Sequence, residues 1–187
     1  MDDTVYDWTV THKGEGGHTL SIYSSAAKSD VYLENAWQST EQHEKYKLYG
    51  FHFHWGPDAQ NGSEHLYEGV TTTMEVHFVH YSSDYHSVAE AVADWDLLSA
   101  STDPKANDMH SLGVVGVLFE EVGDDEAYNT AADGVLLQFV DGDAMESVWR
   151  NATGYAHLTF AITDLVDAAD FMEHYYHYEG SLTTPPC

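Results

Sequence analysis

Three histidines on two short runs have the types and spacing to hold a metal. In Phe51-His52-Phe53-His54-Trp55-Gly56, a strand would put His52 and His54 on one face and Phe51, Phe53 and Trp55 on the other. That spacing is weak by itself, because 13 histidines in 187 residues give about one His-x-His pair by chance. The second run, from Met74 to Tyr81, puts Glu75, His77 and Val79 on one face and Val76, Phe78 and His80 on the other. Laid beside the first strand, it would let His77 complete a three-imidazole site. Three neutral imidazoles leave a fourth coordination position open, which suits catalytic rather than structural zinc. A structural site is usually closed by cysteine, and the sole cysteine is the last residue, Cys187. His80, facing away from His77, reads as a packed or hydrogen-bonded histidine.

Two further groups have two readings each. Glu64, in Gly62-Ser63-Glu64-His65, is either a solvated loop carboxylate or a carboxylate standing behind a metal site. The segment Ser181-Leu182-Thr183-Thr184-Pro185-Pro186 is either a rigid turn or a fixed hydroxyl aimed at a ligand.

Strand signals dominate the elements that must position these residues. They cover Thr19–Tyr23, Tyr46–Trp55, Val70–Tyr81, Val114–Val122 and Leu158–Thr163. Helices are predicted over Ser87–Trp95 and roughly Asp133–Trp149, the second weakened by Gly142, with a loop at Asp103–Met109. No repeat or Pro/Gly-rich linker divides the chain. The expectation is one α+β domain over residues 1–187, built on a large twisted, mostly antiparallel sheet with a few peripheral helices.

Composition narrows the function classes. Hydrophobic residues make up 43% and aromatics 13%, enough for a core and too much for a disordered chain. Against 32 Asp+Glu stand 6 Lys+Arg, a net charge of −26. Nucleic-acid binding needs the basic residues that this chain lacks, and an anionic membrane surface would repel it. The acids are dispersed along the chain, which suggests a surface that repels itself in dilute buffer and is relieved by salt. No apolar run approaches the ~20 residues of a membrane span, so no membrane contact is expected within this chain.

Taken in order, the motifs resemble the α-carbonic anhydrase family. The His52–Gly56 strand, the Gly62–His65 loop, the Glu75–His80 strand and Ser181–Pro186 carry the likeness. So do Gly16-Gly17-His18-Thr19-Leu20, similar to the family's Asn-Gly-His segment, and the Leu112–Val117 strand.

The resemblance implies Zn2+ held by His52, His54 and His77, and hydroxide on that zinc attacking carbon dioxide to give bicarbonate. It implies that Thr183 accepts the hydroxide's proton in a hydrogen bond and donates its own to Glu64, which orients the nucleophile. Glu75 would fix the tautomer of His77. Val79, Val114 and Leu182 would line the pocket for carbon dioxide, with Thr184 at its edge near bicarbonate. His18 matches the position of the family's proton shuttle.

The chain departs from the family pattern at three places. Gly50 stands where a glutamine commonly orients the first histidine, and Glu179 where many members have proline. The chain also resembles a domain truncated at both ends, an incomplete α-carbonic anhydrase fold. In secreted and membrane-bound members a cysteine at the position of Cys187 pairs with one near the N-terminus. That implies a partner cysteine outside this chain and an extracellular or membrane-associated parent protein. The charge is similar to that of salt-adapted algal members. The alternatives are a catalytically impaired carbonic anhydrase-related binding domain and a cupin-like metal oxygenase, which also uses a His-x-His strand but places a Glu ligand soon after it.

Overall fold

The longest strand, β4 (Lys45–Trp55), is the spine of an antiparallel sheet. The computed structural model describes residues 6–12, 20–24, 31–34, 45–99, 111–123, 130–140, 145–146, 148, 154–166 and 174–183. Within them lie β1 (Tyr6–His12), β2 (Leu20–Ser24), β3 (Tyr32–Glu34), β4, β5 (Met74–Ser82), β6 (Leu112–Phe119) and β7 (Tyr155–Phe160), with helices α1 (Val88–Ser99) and α2 (Thr130–Val140). Six strands run in the order β6-β5-β4-β2-β1-β7, and β3 pairs with the first residues of β4. The predicted Asp103–Met109 loop lies outside the described residues.

One face of the sheet is the core. Trp8 and Val10 of β1, Ile22 of β2, Leu48, Phe51 and Phe53 of β4, and Val76 and Phe78 of β5 are buried together with Val135 and Phe139 of α2. The Trp8 ring stacks on Phe160 at 5.4 Å and meets Phe51 edge-on at 5.2 Å, while Phe53 meets Phe139 at 5.3 Å. Burying such a side chain is worth about 1.5–3 kcal/mol, so this face holds α2 to the sheet. The opposite face carries the histidines.

A bulge in β4 decides which residues reach which face. Leu48 pairs with His80 and Gly50 with Val79, so Tyr49 is one residue extra in β4. Before the bulge Tyr46 and Leu48 are buried, and after it Phe51 and Phe53 are. Strict alternation from Tyr46 would have sent His52 and His54 into the core with it. The extra residue instead keeps all four apolar side chains on one side and both histidines on the other.

The predicted strand from Val70 begins only at Met74. Of the three threonines between, Thr71 and Thr73 turn their hydroxyls, and Thr72 its carbonyl, to the preceding loop. Thr71 donates to the Gln60 carbonyl, Thr73 donates to that of Ala59 at 3.0 Å, and the Thr72 carbonyl accepts from the amides of Gly62 and Ser63 at 2.9 and 3.1 Å. Those bonds compete with a ladder and win. The approach is so close that a Cβ on Gly62 would lie 1.7 Å from the Thr73 carbonyl oxygen.

Other boundaries shift for local reasons. Helix α1 starts where Ser87 accepts from the Glu90 amide, while Glu90 accepts from the His86 amide. Helix α2 covers Thr130–Val140; of the remaining predicted stretch to Trp149, residues 145, 146 and 148 are described, the last two are helical, and Met145 and Val148 lie in the core. Strand β7 stops at Phe160, and a 3-10 turn at Ile162–Asp164 follows, its Asp164 carboxylate accepting from the Ala161 amide at 3.2 Å. Strands β1 and β3 were not predicted.

Candidate metal centre

Register brings the three histidines together. His52 lies directly opposite His77 across β4 and β5, and His54 opposite Glu75, so all four share the face away from the core. The ring centroids are 4.9 Å apart for His52 and His54, 5.3 Å for His52 and His77, and 4.5 Å for His54 and His77. One nitrogen of each ring lies within 4.8 Å of the other two.

Glu75 sets the chemistry of His77. Its carboxylate is wholly buried and is saturated with donors. Oε2 accepts from the amides of Glu64 and His65, each at 2.9 Å, while Oε1 accepts from His77 Nε2 at 2.7 Å and from His65 Nδ1. Burial alone would push this carboxyl up, but the bonds from His77 and His65 outweigh it and hold the pKa at about 2. Donating through Nε2 to this carboxylate, His77 turns its Nδ1 to the site.

That Nδ1 is 3.2 Å from His54 Nε2. Two nitrogens on a tetrahedral zinc at ~2.0–2.1 Å stand roughly 3.3 Å apart, so the pair fits one shared ion. Burial, then the neighbouring His77, lowers the His54 pKa, which favours the neutral imidazole that a metal requires. An all-nitrogen donor set with no thiolate matches zinc in an open site.

Glu64 stands beside this pair. Its Oε2 is 3.5 Å from His54 Nε2 and 3.7 Å from His77 Nδ1, and it accepts a hydrogen bond from the Thr183 hydroxyl at 3.0 Å. Thr183 comes from a segment 119 residues further along the chain. Val79 and Val114 are cross-strand partners on the histidine face, and Val114 is 46% exposed. Leu182 is half-buried beside Thr183 in sequence. His18, Thr184 and Cys187 lie outside the described residues.

Some details match the sequence reading, His80 and the two phenylalanines among them, and others add to it. Phe51 and Phe53 enter the core, but Trp55, at the strand's end, is 38% exposed. His80 is buried on the core side, with Nδ1 donating to the Phe78 carbonyl at 3.0 Å, and burial lowers its pKa to about 4. At Gly50 a Cβ would lie 2.5 Å from the Ile22 carbonyl oxygen and 2.8 Å from the Tyr23 ring, so β2 excludes any side chain there. His65 and Tyr178 had no predicted role, yet His65 bonds Glu75 through one ring nitrogen and the Tyr178 hydroxyl through the other. The place of His65 next to Glu64 was a usable signal; for Tyr178 the sequence offers none.

Sheet, site and motif order together define a carbonic anhydrase domain: residues 3–187 match the model of the eukaryotic-type carbonic anhydrases, and the chain belongs to that family. Carbonic anhydrase 6 of Mus musculus is 32% identical over 183 residues, covering 97% of this chain and 47% of the relative. Carbonic anhydrase 3 of Homo sapiens is 25% identical over 189 residues, covering 100% and 62%. Carbonic anhydrase 15 of Mus musculus is 31% identical over 144 residues, covering 76% and 37%. The chain spans about half the length of the curated relatives it matches. No helix among the described residues is long and apolar enough to cross a membrane.

Proposed function

We propose that the protein containing this chain hydrates carbon dioxide reversibly to bicarbonate and a proton, with Zn2+ held by His52, His54 and His77. The observation that carries this reading is the convergence of three imidazoles from two paired strands, with Glu75 holding the proton of His77 on the nitrogen away from the site. Zinc bound there would lower the pKa of a water ligand to about 7, supplying a nucleophile at neutral pH.

The chain's own residues do the rest. Glu75 fixes the ring of His77. Thr183 gives its proton to Glu64, so its hydroxyl oxygen is left to accept one from the nucleophile and to fix which lone pair meets the substrate. Val79, Val114 and Leu182 offer an apolar wall to a ligand without charge, and Thr184 a polar contact for bicarbonate. His18 carries the released proton outward, a task that an imidazole with a pKa near 6.5 performs at neutral pH.

On the same reading, residues 1–187 belong to one catalytic domain. Cys187 pairs with a cysteine elsewhere in an extracellular or membrane-associated parent protein. The charge of −26 is an adaptation to salt, so added NaCl should raise the unfolding midpoint.

The test is metal content and carbon dioxide hydration, measured on the chain and on its His77→Ala variant. About one zinc per chain, lost in the variant together with hydration, supports the proposal. Iron or manganese in its place, without hydration, would move the site to oxygenase chemistry.

A further inference from the structure

A line of hydrogen bonds leaves the metal centre and ends on the surface. It runs from His77 Nε2 to Glu75 Oε1, from Glu75 to His65 Nδ1, and from His65 Nε2 to the Tyr178 hydroxyl at 2.5 Å. The direction of each proton follows from the acceptor at its middle. Both Glu75 oxygens accept, one from two backbone amides and the other from two rings. His65 therefore donates through Nδ1, and its Nε2 is the acceptor for the Tyr178 O–H.

We propose that Tyr178 is a positioning residue for the metal centre, acting through His65 and Glu75 to hold the ring of His77 in its ligating orientation. This rests on the three-histidine metal reading given above. Glu75 is wholly buried, whereas the His65 side chain is 41% exposed and Tyr178 is 62% exposed, so the two outer members of the line meet solvent and His65 depends on its two ring contacts for its orientation. The Tyr178 hydroxyl is the contact that restrains it. The ring of Tyr178 folds back over Gly180, where a Cβ would lie 2.7 Å from Tyr178 Cε2, and the absence of that atom lets the ring take this pose.

The same segment, residues 174–183, also holds the residue before His65, since the Thr183 hydroxyl donates to Glu64. Seating of this segment on Glu64 and His65 is therefore coupled to metal loading, and by linkage the metal favours the seated segment.

Zinc dissociation constants, read by competition with a chromophoric chelator, test this on the wild-type chain, Tyr178→Phe, His65→Ala and the double variant. Tyr178→Phe keeps the ring and removes only the hydroxyl. The expected result is zinc binding weakened about tenfold, in the range for lost outer partners of metal ligands, with the unfolding midpoint of the metal-free chain unchanged. In the His65→Ala background the same change should add nothing. Wild-type affinity in Tyr178→Phe, or a full-sized loss that persists without His65, would overturn the inference while leaving the metal reading intact. A wild-type chain that binds no zinc would overturn both.

Discussion

Gly116 lies directly opposite His77 across β5 and β6, and a Cβ built on it would stand 2.7 Å from Glu75 Oε1. The same atom would touch the His65 ring at an ordinary 3.5 Å, so the clash is with Glu75 alone. A side chain is thus excluded at this position of β6 by the carboxylate that holds the His77 ring on β5. Gly116→Ala should cost about 1–3 kcal/mol through overpacking and weaken zinc binding by displacing Glu75. Gly113→Ala is the control, since its Cβ would meet Tyr46 at an ordinary 3.5 Å. Urea unfolding with zinc titration on both variants checks the pair; equal behaviour would show that Glu75 has room to move.

The absence of a side chain at Gly50 invites repair by Gly50→Gln, restoring the residue common at this position in the resembling family. The expected outcome is the reverse of repair. The new Cβ would meet backbone at 2.5 Å, and backbone of a paired strand does not step aside as a flexible side chain can. Gly50→Gln should lower stability by about 1–3 kcal/mol without strengthening zinc binding. Thermal melts of the metal-free chain and a zinc titration decide it.

Acid should destabilise the fold in two windows. His80 has its folded pKa lowered from 6.5 to about 4, chiefly by burial, so the unfolded chain takes up the proton first as pH falls. Its contribution is complete above pH 6.5 and is lost on the way to about pH 4, a change of about 3 kcal/mol. Glu75, lowered from 4.5 to about 2, loses its contribution below that, from pH 4.5 downward. Urea midpoints of the metal-free chain between pH 7 and 4 should fall for the wild type and flatten for His80→Leu. An equally steep fall in the variant would assign the slope to other groups.

Thr183→Val removes a hydroxyl and keeps the shape. On the proposed function, Glu64 and the three histidines stay in this variant, so zinc content should hold while hydration falls by about 100-fold or more, the scale of losing one oriented hydrogen bond in a transition state. Stopped-flow hydration beside metal analysis separates the two; loss of zinc would make Thr183 part of metal retention instead.

The faces of the site were legible because a strand's period is short. Two histidines two apart, and Glu75 two before His77, define sides without any tertiary information. What the sequence could not display were relationships over long separations and local competition. His65 and Tyr178 are 113 residues apart, and only folding makes them partners. The late start of β5 came from threonine hydroxyls that prefer the loop, and composition alone reads such threonines as strand. Strand β3 has only three residues, too few for alternation to register, and no local pattern at Gly50 shows that the Ile22 carbonyl and the Tyr23 ring fill the space a side chain would need.

The extra residue at Tyr49 has a bearing on how this domain can drift in length. Between Lys45 and His52 the chain counts by parity: one residue gained or lost there would exchange imidazole for phenylalanine at the candidate metal centre, while two would restore the original order. Loops elsewhere can lengthen one residue at a time. This stretch has a checksum, and related sequences that keep a working centre should differ there only by even steps.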